Sequence, residues 1–354
     1  DLIRLDGKVV TKPGSMIGSQ NKTITIDALP EERNRIIAED IPLQIIYEDD
    51  YILAVNKKPG IVVHPGVGHK DSTLIHALES YREKHKLQPL RLLHRLDKDT
   101  SGILLVSKDE NSFGKFGELF EKRSLEKIYI ALVVGTPKKI KGYVDAPIER
   151  SPLDRQKFAV SASSNSRRAL TAYQVIDFLG EFSLWALQIH TGRTHQIRVH
   201  VSSIGHPILG DETYATAESL RASVELGCKR QLLHAHQISF THPITKKKIT
   251  ITAPLPFDFK QILGKLSNTK YKLPAFNFSD YENDVSQADV YFTINNILNN
   301  LRNSHNYEHC LRQTEFVRNM IDPHNFNRFN DGIIQASILR SSLPAELFYH
   351  IDDE

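Results

Sequence analysis

Apolar and polar positions follow two periods along the chain. Short apolar runs at Leu43–Tyr47 and Tyr51–Asn56 flank the acidic turn Glu48-Asp49-Asp50, which predicts a pair of strands. Pro59-Gly60 breaks the chain before Ile61-Val62-Val63. Leu74, Ala77, Leu78 and Tyr81 then form one apolar stripe, predicting a helix over 72–81 with Ser72 as its cap. The aliphatic run Ile103–Val106 predicts a buried strand after a polar loop at 94–102. Phe113, Phe116 and Phe120 share one face of a helix predicted over 109–120. From there strands dominate, at 128–134, 169–177, 182–190, 236–240 and 246–252, with a helix near 194–203. Helices and strands intersperse without a strict βαβ repeat, so the expected fold class is α+β.

Both ends read differently from this body. Residues 1–29 are rich in turns, and Thr23-Ile24-Thr25-Ile26 alternates as a half-buried strand does. Residues 30–42 form a charged linker bounded by Pro30 and Pro42. Residues 266–354 are expected to be a helical or partly disordered tail. Residues 267–354 hold 13 Asn, and Val290, Ile294, Ile297, Leu298 and Leu301 recur at helical spacing, as do Ile334, Ile338 and Leu339. The central unit is therefore taken as 43–265.

Composition narrows the setting. The 354 residues suffice for two or three compact units, and 40% apolar with 25% charged residues is an ordinary globular balance. No apolar run approaches the ~20 residues needed to span a bilayer, so no membrane association is expected. No basic, apolar and small-residue series opens the chain, so no secretory signal is expected. The two cysteines, Cys228 and Cys310, form no CxxC pair; a reducing, cytoplasmic setting is expected. Charge is uneven: residues 1–266 carry 38 Lys+Arg against 30 Asp+Glu (+8), and residues 267–354 carry 7 against 12 (−5). A basic body points weakly to an anionic partner.

Three clusters carry candidate chemistry. His94-Arg95-Leu96-Asp97-Lys98-Asp99-Thr100-Ser101-Gly102 leads into the buried strand, so one end of the loop is held rigidly. Its cations favour ionised carboxylates, as a base or nucleophile requires, although a salt-bridged turn has the same composition. In Thr191-Gly-Arg193-Thr194-His195-Gln-Ile-Arg198-Val-His200, Thr191 or Thr194 is placed to cap a helix whose free N–H groups attract anions. His190, His195 and His200 recur every five residues and so do not share a helix face; His234 and His236 share a strand face without a completing ligand. No metal is expected. In the third cluster Lys127 and Tyr129 share a strand face, an aromatic beside a cation that suits stacking on an unpaired base, though such a tyrosine also fits a plain core.

In this order and spacing the clusters resemble the RluA family of RNA pseudouridine synthases. The motifs are His94-Arg-Leu-Asp97 with Thr100-Ser-Gly102, Lys127-x-Tyr129-x-Ala-Leu-Val, and Gly192-Arg-Thr-His-Gln-Ile-Arg-Val-His200. Gly205-His-Pro-Ile-Leu-Gly-Asp211, Leu233-His-Ala235, Phe240-Thr-His-Pro243 and Val62-Val-His-Pro-Gly66 continue the pattern. The resemblance covers about 40–262. Residues 4–29 resemble the last part of an alpha-L-type RNA-binding domain, so the chain is expected to start inside a truncated remnant of one. Lys58 departs from the family's Asn-Lys-Pro run.

The resemblance implies a bent, mostly antiparallel mixed sheet with flanking helices and a central catalytic cleft. It implies a cofactor-free isomerisation of uridine to pseudouridine in RNA, by a monomer. Asp97 would be the essential carboxylate, acting either on the ribose or on the uracil ring. Tyr129 would stack on the flipped uracil, and Arg198 would pair with Asp97. Arg95 would fill the vacated stack or hold a phosphate, and Leu233 would line the pocket. His94, Lys127, Arg193 and His195 are further candidates for RNA contact. Val62-Val-His-Pro-Gly66 and the alpha-L-type remnant favour large-subunit ribosomal RNA as the target. Transfer RNA, or a non-catalytic RNA-binding protein on the same scaffold, are the alternatives. A glycosidase using Asp97 and Asp99 is disfavoured, since residues two apart on one loop do not flank a glycosidic bond.

Overall fold

A computed structural model describes residues 3–10, 23–26, 36–66, 68–152, 154–161 and 163–267, with residues 273, 276 and 278. The helices expected within 290–301 and 334–339, and residues 30–35 of the charged linker, lie outside the described residues. The strands β1 (Ile3–Leu5), β2 (Lys8–Val9) and β3 (Ile24–Ile26) make a small antiparallel sheet of their own. The half-buried strand expected at 23–26 is instead exposed, with Ile24 and Ile26 both outward.

The body begins with β4 (Ile45–Glu48), β5 (Ile52–Lys57), α1 (Leu74–His85), β6 (Arg91–Leu92), β7 (Ser101–Ser107), α2 (Glu110–Glu121) and β8 (Glu126–Val134). It continues with β9 (Lys141–Asp145), β10 (Ile148–Arg150), β11 (Phe158–Val160), β12 (Leu170–Leu179) and β13 (Phe182–Ile189). It closes with α3 (Gln196–Ser203), α4 (Ala217–Leu226), β14 (Leu233–Thr241), β15 (Lys248–Thr252) and α5 (Phe257–Ser267). Ten strands form one mixed sheet in the order β4-β5-β7-β14-β8-β13-β12-β9, with β15 on β14 and β6 on β7. Only the β7–β14 contact within it is parallel. The α+β expectation and the mostly antiparallel sheet both hold.

Local chemistry explains the boundaries. Asp109 caps α2 by accepting the Ser112 N–H, as its position before an amphipathic run suggests. Helix α1 starts two residues later than expected. Thr73 is its cap, while Ser72 sits at a positive φ and bonds Glu39. Helix α4 has a Thr216/Ser219 capping box and ends at Gly227 in the left-handed region. One face of the sheet packs Leu53, Leu104, Ala131, Trp185 and Leu187 against α1 and α3 residues such as Leu78, Val199 and Val201. On the other face Ile130, Leu132 and Leu184 meet Phe259 and Leu263 of α5. The central strands β7 and β8 are therefore buried nearly throughout and form a rigid frame. Among the described residues no helix is long and apolar enough to cross a membrane.

Candidate active site

The polar loop before β7 is held at both ends. Leu96 is buried, and the Thr100 N–H closes a turn on the Asp97 carbonyl. From one side the wholly buried Lys57 of β5 donates its Nζ to the carbonyls of Lys98 (2.7 Å), Lys58 (2.9 Å) and Ile61 (3.0 Å). Burial pushes the Lys57 ammonium down to about 7, a shift its carboxylate neighbours Asp99 and Asp97 oppose. From the other side Arg230 donates to the Asp99 carbonyl at 3.0 Å while its fork holds Asp258 at 2.6 and 3.0 Å. Beyond the loop Gly102 has φ +111°, and a Cβ there would lie 2.2 Å from the Ala235 carbonyl oxygen. Only glycine lets β7 approach β14 so closely.

This frame presents Asp97 to a cleft of about 500 Å³. Arg198, in the first turn of α3, is nearly buried and splits its guanidinium between two carboxylates. Nη1 donates to Asp97 Oδ2 at 3.2 Å, while Nε and Nη2 grip Asp211 at 2.7 and 2.9 Å. This confirms the expected Arg198–Asp97 pairing and adds Asp211, whose carboxylate holds the fork in place. The two carboxylates raise the Arg198 pKa against its burial, so the positive charge beside Asp97 persists.

His195 stands on the other side of Asp97, its Nε2 at 3.8 Å from Oδ2 and its Nδ1 at 2.8 Å from the Tyr214 hydroxyl. The Phe158 N–H donates to that hydroxyl at 3.0 Å. A carboxylate oxygen only accepts, so the imidazole tautomer that suits Asp97 carries its N–H on Nε2, and in that tautomer Nδ1 accepts the Tyr214 proton. The Tyr214 ring also lies 5.1 Å from the Arg198 guanidinium carbon. Desolvation lowers the His195 pKa, against the pull of Asp97. Neither Asp211 nor Tyr214 was assigned a role from sequence.

Tyr129 lies on β8, opposite Leu187 on one side and Ala235 on the other. Its ring is buried at the floor of the cleft, with Leu233 of β14 beside it as an apolar wall. Burial first, and the Asp97 charge second, raise the Tyr129 pKa, so its phenol remains a proton donor. Lys127, two residues earlier on the same face, lines the cleft with its Nζ 5.7 Å from the Phe120 ring. Burial brings that ammonium down to about 8. Arg95 is exposed at the cleft, and Arg193 lines it while donating its Nε to the Arg168 carbonyl.

One expectation needs correcting, and one residue has a second task. The His94 ring lines the cleft as expected and also braces the protein: its Nε2 accepts the Leu105 N–H at 3.0 Å, and its other bond goes to the Arg95 backbone. Burial and the Lys127 charge drive its pKa to about 3, so this neutral ring braces the loop. Neither Thr191 nor Thr194 caps α3. His195 occupies that position at φ +56°, and the Gln196 side chain accepts from the Thr191 hydroxyl and the Arg193 N–H. The paired histidines of β14 both turn to the Ala253 carbonyl, through His234 Nε2 and His236 Nδ1. Among the described residues no group of three or more His, Cys, Asp or Glu is arranged to hold a metal.

Comparison with known proteins places this geometry. Residues 51–203 match the family model described as RNA pseudouridylate synthase. A Zymomonas mobilis protein, ribosomal large subunit pseudouridine synthase D, is 41% identical over 236 residues, covering 64% of this chain and 74% of that protein. The chain belongs to the RNA pseudouridine synthase family. A Vibrio parahaemolyticus protein with the same name as the Zymomonas one is 37% identical over 282 residues, covering 77% of this chain and 86% of that protein. A solved structure of human RNA pseudouridylate synthase domain containing 4 is 30% identical, with a TM-score of 0.53. It covers 63% of this chain and 92% of that chain. The matched span of this synthase includes Asp97, Tyr129 and Arg198, while Leu233 lies beyond it.

Proposed function

We propose that this synthase isomerises uridines of large-subunit ribosomal RNA, with Asp97 as the catalytic carboxylate. The observation that carries the reading is the Asp97–Arg198 contact of 3.2 Å at the wall of a cleft floored by Tyr129. In the reaction the N1–C1′ bond breaks, the uracil turns, and a C5–C1′ bond forms. C5 loses its proton and N1 gains one, so atoms balance with no added reactant. Reaching the uridine requires flipping it from its stack, at a cost of a few kcal/mol. Tyr129 and Leu233 offer the displaced base an apolar and aromatic bed, and Arg198 holds the carboxylate aimed. Arg95 and Arg193 stand where the flanking phosphates enter. The names of the Zymomonas and Vibrio relatives support ribosomal RNA as the target. Residues 43–265 are taken as the catalytic unit.

The test is to incubate the protein with unmodified large-subunit ribosomal and transfer RNA transcripts. Pseudouridine is then mapped by carbodiimide-blocked reverse transcription, with Asp97→Asn alongside. Expected are new stops on ribosomal RNA with the wild type and none with Asp97→Asn. Stops on transfer RNA alone would move the target, and no stops on any RNA would overturn the enzymatic reading. Equal stops with Asp97→Asn would overturn the role of Asp97.

A further inference from the structure

The two oxygens of the Asp97 carboxylate are held unequally. Arg198 Nη1 lies 3.2 Å and His195 Nε2 3.8 Å from Oδ2, while among the described residues Oδ1 has no hydrogen-bond or ion-pair partner. His195 is locked beside that oxygen. The Tyr214 hydroxyl lies 2.8 Å from its Nδ1, and the rings of Phe158 and Tyr214 meet the imidazole edge-on at 5.7 and 5.6 Å. Its backbone sits in the left-handed region, at φ +56° and ψ 17°. A residue other than glycine keeps such a conformation where its surroundings over-determine it, and functional sites are where this recurs. Helix α3 has no use for the imidazole. The Gln196 side chain serves the start of the helix, and the His195 side chain makes no capping bond there.

We propose that His195 is a positioning residue of the isomerisation: with Arg198 it fixes Oδ2 of Asp97, so that Oδ1 is the oxygen turned to the nucleotide. The proposal rests on Asp97 being the catalytic carboxylate. One donor fixes an oxygen yet lets the carboxylate swing about it; a second donor on the same oxygen stops the swing and leaves one reacting atom in one place. The 3.8 Å separation closes to a hydrogen bond when the nucleotide fills the cleft, as catalytic contacts tighten on binding. Burial first, then Arg198 and Arg95, oppose protonation of the ring, while Asp97 and Asp211 favour it; the balance lies below the usual histidine value, so the ring is neutral at pH 7. The direction of the imidazole is set from the two-stranded ribbon β10–β11, which stands apart from the large sheet. The Phe158 N–H of that ribbon holds the Tyr214 hydroxyl at 3.0 Å, and the hydroxyl holds Nδ1.

The experiment measures Kd, KM and kcat on a large-subunit ribosomal RNA transcript for wild type, His195→Leu, His195→Gln, Arg198→Lys and the double variant of His195→Leu with Arg198→Lys. His195→Leu should lower kcat about 10- to 30-fold, with Kd and KM within about threefold of wild type. His195→Gln, whose amide N–H reaches toward the same oxygen, should lose only about three- to fivefold. Because both side chains hold one oxygen, the double variant should lose less than the product of the two single losses. With an active wild type, a His195→Leu variant that keeps its kcat would overturn the role of His195 alone. Weaker Kd and KM at an unchanged kcat would overturn it by making His195 an RNA contact. Equal losses in His195→Gln and His195→Leu would overturn it by showing a packing role, and losses that multiply in the double variant would overturn the shared hold on Oδ2. Wild type that forms no pseudouridine in any RNA would overturn the function, and the role with it.

Discussion

Replacing Arg198 by Lys tests the idea that the guanidinium aims Asp97, because it keeps the charge and removes the fork. The wild-type side chain makes three charge-assisted bonds to two carboxylates, at 2.7, 2.9 and 3.2 Å. A single ammonium at the end of a flexible stem cannot span Asp211 and Asp97 with that geometry. Asp211 is the more buried partner and is held by two of the three bonds, so the lysine should stay with it and release Asp97. Losing one charged hydrogen bond at the reacting group is worth about 1.5–3 kcal/mol. At about 1.4 kcal/mol per decade, kcat should fall roughly 10- to 150-fold while KM changes little. Partial loss of the grip on a buried carboxylate should also cost about 2–3 kcal/mol of stability. Tritium release from RNA labelled at uridine C5 gives the rate, and urea unfolding gives the stability. A kcat within about threefold of wild type would refute the aiming role, since that leaves under 1 kcal/mol for the lost contact.

Tyr214→Phe keeps the ring under Arg198 but removes the hydroxyl that holds His195 Nδ1. The freed nitrogen gains affinity for a proton, so the acid limb of the kcat/KM profile should move to higher pH; an unmoved limb contradicts the proton arrangement. The Phe158 N–H also loses its acceptor, at about 1 kcal/mol of stability, which urea unfolding reads. His200 and His234 are wholly buried and pushed down to about 4 and about 3. Their folded values lie below the unfolded one, so the stability they give is complete above about 6.5 and is lost as pH falls toward their folded values. Between pH 6.5 and 5 the two should cost roughly 3 kcal/mol by proton uptake in the unfolded chain, and a flat urea midpoint over that interval would contradict it. Gly102→Ala forces a side chain into the left-handed region and against the Ala235 carbonyl, so it should lose at least about 1–2 kcal/mol; an unchanged melting temperature would overturn the close-approach argument.

The parts of the site that sequence exposes are those written as local patterns. Asp97 leads a run of aliphatics, Tyr129 sits on an alternating strand, and Arg198 occupies a dense motif, so each stands out before any fold is known. Lys57 does not, because a lysine beneath three carbonyls leaves no periodic trace. Asp211 lay within a quoted motif, yet its task depends on a contact thirteen residues away through a loop. The Thr191 and Thr194 caps failed because the Gln196 side chain meets the same backbone needs from inside the helix. The three-residue strands of the β10–β11 ribbon are too short to show a period. Helix α4 was legible in retrospect, from Thr216, Ser219 and Gly227 at its two ends.

The parallel contact between β7 and β14 rests on two residue pairs, His234 with Ser101 and Ala235 with Gly102, and on the Ser101 hydroxyl, which lies 2.9 Å from His234 Nδ1 and 3.5 Å from the Leu233 carbonyl. It joins segments 133 residues apart in sequence. Closing so long a loop is slow relative to forming the neighbouring hairpins. During synthesis the loop bearing Asp97 emerges well before Leu233, so the wall of its pocket arrives late. A nascent chain would thus carry its reactive carboxylate without the cleft that gives it an object, and competence would begin only when β14 slots in between β7 and β8.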